Sequence, residues 1–260
     1  MLLGINRYKV LDAFGVRRHA ADLYWRHKFA GESPSITYTV GDAMATFNVA
    51  SRNEYIRLNQ FIEADILERF LADVHPSDVM FDIGANIGEY AALTSRVNVH
   101  GAVVAFDPAP SNAERTAVHL ENNARNEWSV YPIALGDKDG VAAIDWDGNT
   151  AGTGQHRLTT DGNGEPVSIR RAATLIDSGE VMAPDIVKID VEGAEGRVLA
   201  GFGDWLSRIR VLYVEVHVNR LAEFNDSTAS VVAQLRNAGF EVERIESREN
   251  ELHLRATTGN

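Results

Sequence analysis

Lys188 and Asp190 fall at alternate positions of the apolar segment "DIVKIDVEGAE", and Glu215 and His217 do the same in "VLYVEVHV". Side chains alternate across a strand, so each pair shares one face. Four ionisable groups on adjacent buried strands are costly unless they pair or act. With Glu192 two residues on, they read as an ion-pair and hydrogen-bond network at the carboxyl edge of a sheet. Asp190, Glu192 and His217 are candidates for a general base, and His217 has the ordinary pKa best matched to that task. Asp190 suits an acceptor-orienting role or contact with a cofactor. A purely structural reading competes, in which Lys188, Asp190 and Glu215 only hold the edge together. Acids with a histidine are also metal ligands, but no tight ligand spacing supports a metal site and none is expected.

A second group lies in "VMFDIGANIGEY", residues 79–90. An apolar strand ends at Asp82–Ile83, the turn is Gly84–Ala85–Asn86, and Gly88 opens a helix. Glycine at 84 permits backbone angles or a close approach that a side chain would block, and Gly88 lets helix and strand pack closely. A ligand then sits outside the carboxyl ends of the strands. Asp107, in "AFDP" 25 residues after Asp82, falls where open α/β folds hydrogen-bond ribose hydroxyls. A dinucleotide fingerprint needs a middle glycine so that amides can meet a pyrophosphate. Here that position is Asn86, and Asp82 and Glu89 flank the turn. Those acids suit a cofactor bearing positive charge, as S-adenosylmethionine does with its ammonium and sulfonium. Each residue also has a structural use: Asp82 or Asp107 as a helix cap, Asn86 as a left-handed turn residue.

From Pro76 onward, strands and helices alternate, the pattern of a parallel sheet with helical crossovers. "VMFDIG", "AVVAFDP", "WSVYPIAL", "DIVKIDV" and "VLYVEVHV" are the strands, with "AIDWD" and "VSIRRA" as extras around a long glycine- and threonine-rich loop. A helix over 228–238 precedes a closing pair, "FEVERI" and "ELHLRA". Before Pro76, "SPSITYTV" and "AMATFNVA" alternate around Gly41–Asp42 as a hairpin, and residues 54–73 carry apolar residues at helical spacing. The expected division is an extension over 1–53, with an amphipathic helix and the hairpin, and a catalytic domain over 54–260.

The 260 residues contain 45% hydrophobic residues, enough for a sizeable core, and no cysteine. That excludes disulfides, thiolate nucleophiles and Cys-based zinc sites, and fits a cytoplasmic protein. The net charge of −12 does not favour nucleic acid, whose phosphates need positive surface. Residues 1–30 run the other way, with six Lys/Arg against two Asp. A basic amphipathic segment suits peripheral contact with an acidic membrane surface, against the plainer reading of a helix packed on the domain's flank. No 18-residue apolar run is present for a membrane span. Pairing into a homodimer is the default for such folds.

Taken in order, "FDIGANIGEYA", "AFDPAPSN", "ALGD", "DIVKIDVEGAE" and "VLYVEVH" resemble the FkbM-type family of S-adenosylmethionine-dependent methyltransferases, over roughly residues 76–220. The "KIDVEGAE" block is the most specific part, since most class I methyltransferases share the glycine turn. The resemblance implies a Rossmann-like class I methyltransferase fold: an α/β, seven-stranded mixed sheet with helices on both faces and its last strand inserted antiparallel. It also implies O-methylation of hydroxyls, commonly on sugars or natural products. Gly84, Asn86 and Gly88 would line the donor's amino-acid moiety, with Asp82 near its ammonium. Asp107 would take the ribose, although the family more often has glutamate there. Asp137, in "ALGD", would lie near adenine, and Asp190 and Glu192 beside the transferable methyl. Residues 1–53 would carry acceptor or partner choice.

Two other classes compete. A NAD-dependent Rossmann oxidoreductase is disfavoured by Asn86 and by the lack of a Tyr-x-x-x-Lys pair. A non-catalytic methyltransferase-like binding module is disfavoured by the intact acids at 82, 107, 190 and 192.

Overall fold

A computed structural model describes residues 34–60, 63–146, 152, 156–159, 163–248 and 250–259. The basic segment over 1–30 lies outside them. The chain opens with a hairpin, β1 (Ser35–Val40) and β2 (Ala43–Asn48), followed by helices α1 (Arg52–Asn59) and α2 (Ala64–Ala72). The helical spacing expected over 54–73 is thus divided between two helices. Then come β3 (Val79–Ile83), α3 (Glu89–Thr94), β4 (Ala102–Phe106), α4 (Pro110–Asn123) and β5 (Glu127–Tyr131).

"WSVYPIAL" is not one strand. β5 ends at Tyr131, and Ala134–Leu135 forms a separate short strand, β6, in another sheet. Pro132 has no N–H to continue the ladder, so the chain leaves the main sheet there. β7 (Gly140–Asp145), β8 (Arg157–Thr159) and β9 (Glu165–Arg170) complete that second sheet in the order β6-β9-β7-β8. The remaining α-helices and strands are α5 (Ala172–Asp177), β10 (Ile186–Ile189), α6 (Glu195–Gly201), β11 (Val211–His217), α7 (Thr228–Asn237), β12 (Phe240–Ser247) and β13 (Glu251–Thr258), with short 3-10 helices at Gly203–Arg208 and Leu221–Phe224.

The main sheet has seven strands in the order β12-β13-β11-β10-β3-β4-β5. β5, β4, β3, β10 and β11 run parallel, and β13 lies antiparallel between β11 and β12. Strand alternation divides its residues between two cores. Phe81, Val104, Val187 and Leu212 pack with α5, α6 and α7 on one face. Met80, Val103, Ile186 and Val211 pack with α2, α3 and α4 on the other, where Ala43, Ala45 and Phe47 of the hairpin join them. This is the class I methyltransferase fold. Chain order reverses between β3 and β10, which opens a crevice at their carboxyl ends.

Candidate active site

The crevice widens into a cavity of about 390 Å³, inside the size range of small-molecule sites. Its floor is the turn after β3. Gly84 has φ +80°, and a Cβ there would overlap the carbonyl oxygen of Asp190 at the end of β10. Only glycine lets those two strand ends close up. Gly84 and Ala85 N–H both donate to the Phe106 carbonyl, at 2.9 and 3.1 Å, which ties the turn to β4. Asn86 has φ 52°, and its carbonyl accepts from Thr116 Oγ1 at 2.8 Å. Gly84 and Asn86 line the cavity, whereas Ala85 and Gly88 do not and support the turn from behind. A Cβ on Gly88 would stand 2.7 Å from Thr116 Cγ2, so its close packing is against α4 rather than the strand.

The two acids expected to hold the donor differ in placement. Asp82 is completely buried behind the wall of the cavity. Its Oδ2 accepts from Ala91 N–H at 3.0 Å, while Oδ1 has no hydrogen-bond partner among the described residues. Burial pushes its carboxyl up to about 6 against the pull of Lys188. Asp107 does line the cavity. Asn86 N–H donates to its Oδ2 at 2.8 Å and Ala109 N–H to its Oδ1 at 2.9 Å. Asn112 Nδ2 reaches both oxygens at 3.3 Å, so the carboxylate is held on three sides. Burial pushes it up to about 7 despite those donors. Asn112 also accepts from Gly152 N–H at 3.2 Å.

Asp137 is exposed and does not line the cavity, which corrects its expected place near adenine. Ala134 and Leu135 already pair with β9 in the second sheet, and Gly136 N–H extends that pairing to the Arg170 carbonyl at 3.0 Å. Phe106, Leu135, Ile144 and Leu158 form the apolar wall instead.

At the opposite end, Asp190, Glu192, Glu215 and His217 converge on the cavity. Lys188 sits just behind them, its Nζ 3.1 Å from Asp190 Oδ2 and 4.9 Å over the Tyr90 ring. Burial acts to neutralise both members of that pair, but their mutual attraction wins: Lys188 is held above its ordinary value and Asp190 below. Glu215 lies 3.9 Å from His217 and 3.9 Å from His253. Burial, with Asp190 nearby, pushes it up to about 9.

His217 departs from expectation. Its Nδ1 lies 2.7 Å from Glu195 Oε1, and its Nε2 is 3.3 Å from Glu192 and 3.8 Å from Asp190. Burial opposes charging the ring, but these three carboxylates hold it protonated up to about 10. At neutral pH it is an imidazolium with no lone pair to offer, which corrects its ranking as the best-matched base. Glu195, wholly buried, was not singled out by sequence spacing because it lies 22 residues from His217. Its Oε1 also accepts Gly193 N–H at 2.9 Å. Nor does spacing reveal Asn112, Arg57 or Arg248, which line the cavity from other elements.

Oxygen and nitrogen atoms of Asp190, Glu192 and His217 lie within 4.8 Å of one another, as do those of Glu215, His217 and Glu251. The positive charge that would draw such a cluster together is already supplied by protein. Lys188 neutralises Asp190, Arg220 bonds Glu192, and the ring of His217 is itself charged.

The sequence profile of the methyltransferase FkbM domain matches residues 82–242. The chain belongs to the FkbM methyltransferase family. It is 33% identical over 187 residues to the hexuronic acid methyltransferase AglP of Haloferax volcanii, covering 71% of this chain and 75% of AglP. It is 32% identical over 207 residues to the 31-O-demethyl-FK506 methyltransferase FkbM of Streptomyces tacrolimicus, covering 65% and 75% respectively. A crystal structure of a fibrillarin/Nop5p complex shares the fold, with a TM-score of 0.50 at 11% identity over 86% of this chain and 97% of that one.

The methyl donor of this FkbM-family enzyme is S-adenosylmethionine, and the cavity fits it. Setting aside protonated Glu215, five carboxyl side chains line the cavity against Arg57, Arg248 and the charged ring of His217, an excess that suits a cationic ligand. The apolar wall offers a place for a base ring, and Asp107 stands between the two ends. Gly84 lets the ends of β3 and β10 close up to form the floor of the cavity. When bound, the donor supplies a methyl group on a positively charged sulfur. The chain has to hold that donor in line with an acceptor.

Proposed function

We propose that this enzyme methylates a hydroxyl of a sugar, glycan or related natural product. One observation carries the reading: a single cavity joins the donor turn at Gly84 and Asn86 to the carboxylates Asp190, Glu192 and Glu215. Donor methyl and acceptor oxygen must meet in line at van der Waals distance, and carboxylates at that end can orient a polyol by accepting its hydroxyl protons. The names of the relatives support it, since AglP acts on a hexuronic acid and FkbM on an oxygen of a natural product.

Within this reading, Gly84, Asn86 and Asp107 hold the donor, with Asp82, Ala85 and Gly88 shaping the turn from behind. Lys188 sets the charge of Asp190, which orients the acceptor, and Glu215 is a neutral hydrogen-bonding wall. Residues 1–53 are the segment that selects the acceptor, residues 1–30 give peripheral contact with an acidic membrane, and two copies pair. Among the described residues no helix is long and apolar enough to cross a membrane. Vesicle co-sedimentation with and without residues 1–30, and sedimentation of the intact chain, check the last two points.

The test of function is turnover. The enzyme is incubated with S-adenosylmethionine and a panel of hexoses, hexuronic acids and their methyl esters, and S-adenosylhomocysteine release is followed. A new O–CH3 ether signal in the product supports the proposal. Methylation confined to free carboxyl groups overturns it.

A further inference from the structure

Glu192 occupies a conformation that few side chains tolerate. Its φ is 56° and that of Gly193 is 110°. Non-glycine residues pay for the left-handed region, so such residues persist where their surroundings hold them. Here the turn does two things at once. It aims Gly193 N–H at Glu195, which grips His217 Nδ1, and it presents the Glu192 carboxyl to the cavity. One oxygen of that carboxyl, Oε2, is anchored by Arg220 Nη1 and lies 3.3 Å from His217 Nε2. The other oxygen, Oε1, has no hydrogen bond among the described residues.

The neighbouring groups are poorer acceptors of a proton. Asp190 is neutralised by Lys188, His217 already carries its proton, and Glu215 is held protonated by burial with the carboxylates of Asp190 and Glu63 nearby. An anchored carboxylate with one open oxygen is what a general base requires.

We propose that Glu192 is the general base, that His217 is a positioning residue holding it, and that the acceptor group is consequently an alcohol. This rests on the reading of the cavity as the methyl-transfer site. The acceptor's O–H bond breaks toward Glu192 Oε1 while its oxygen bonds to the methyl carbon. The C–S electron pair goes to sulfur. The products are a methyl ether, S-adenosylhomocysteine and a neutral Glu192 carboxyl, which then returns its proton to solvent. The step removes one positive and one negative charge together, so a buried site with little water favours it.

Burial lifts Glu192 to about 7, with Asp190 and Glu195 raising it and His217 and Arg220 lowering it. That value matches base catalysis near neutral pH. A positive sulfur beside Glu192 must pull it down again, whereas neutral S-adenosylhomocysteine must not.

The test needs no acceptor. NMR titrations of 13C-carboxyl-labelled Glu and 15N-labelled His are run on complexes with sinefungin, which carries a cationic amine at the methyl position, and with S-adenosylhomocysteine. Glu192 and His217 signals are assigned by Glu192→Gln and His217→Gln. The expected result is a Glu192 titration at least roughly tenfold weaker in proton affinity with sinefungin, and a His217 ring that stays an imidazolium from pH 6 to 8.5. A neutral His217 at pH 7.5, or a Glu192 titration indifferent to the ligand's charge, overturns the proposal.

With an acceptor from the panel above, Glu192→Gln is expected to lose at least 100-fold in kcat, to bind sinefungin up to about tenfold more weakly, and to retain S-adenosylhomocysteine affinity. Partial recovery in Glu192→Asp is expected. Full activity of Glu192→Gln on a methyl ester sugar refutes the base assignment alone. Methylation of free carboxyls only refutes the alcohol reading. A requirement for added Mg2+, lost in Glu192→Gln, overturns the base role in favour of a cation site.

Discussion

His217 Nδ1 and Glu195 Oε1 lie 2.7 Å apart, an ion pair buried beneath the acceptor end of the cavity. The bond fixes which face of the imidazole meets Glu192 and Asp190, and the same oxygen pins the left-handed turn through Gly193 N–H. Glu195→Gln keeps the shape and removes the charge. It is expected to lower stability by roughly 1–3 kcal/mol in urea unfolding. Unchanged stability would show that the pair is not made.

Gly84 and Gly88 both have φ near +80° but face different neighbours. Gly84→Ala places a methyl against the Asp190 carbonyl and forces apart two strand ends that line the cavity, so S-adenosylmethionine affinity should fall at least about tenfold as the floor shifts. Gly88→Ala meets Thr116 outside it and should cost stability while donor affinity changes less. Calorimetric titration and thermal unfolding of both variants separate the effects; the opposite ranking in donor affinity would misplace the floor.

Asp107 and Asp137 make a matched comparison. Asp107→Asn leaves the side chain's size but replaces one accepting oxygen and its charge. The expected loss is about 1.5–3 kcal/mol of donor binding, the worth of a hydrogen bond to a charged group. Asp137→Ala, at an exposed position away from the cavity, should leave donor affinity unchanged. Equal effects would mean that the ribose assignment is wrong.

Stability without donor should fall as pH rises from 7 to 9. Glu215 is raised to about 9 by burial and His217 to about 10 by its carboxylates. Both values lie above those of an unfolded chain, so the folded state binds the extra protons. Their contribution is complete below the unfolded values and is lost as pH climbs through the folded ones. The slope is roughly 1.4 kcal/mol per pH unit for each proton the folded state retains. His119 and His253 are held below their ordinary value by burial and act in the opposite sense, but near pH 6.5, before this window. Urea midpoints at pH 7, 8 and 9 check the sign; a rise would refute the charged state of His217.

Much of the fold was legible because local patterns carry it. The apolar runs at 79–83, 102–106, 186–189 and 211–217 became the parallel strands, and the closing pair became β12 and β13. The antiparallel placing of β13 came from family resemblance, as nothing in its own residues specifies which neighbours it joins. The strand expected through Tyr131–Leu135 failed at Pro132, a warning that was present in the sequence. Asp137 failed for a different reason, since the direction of the chain after Leu135 depends on pairing with a strand more than thirty residues later.

By itself, the sequence determined the fold class, the glycine turn, and the shared faces of Lys188 with Asp190 and Glu215 with His217. Those follow from short-range rules: strand alternation, glycine's backbone freedom, and the cost of burying charge. The tertiary structure decided what each ionisable group does. Glu195 meets His217 only because the start of α6 packs beside the end of β11, and that contact turns the expected base into a fixed cation. Protonation depends on burial and on charges a few ångströms away, and those distances are set by packing between segments distant in the chain.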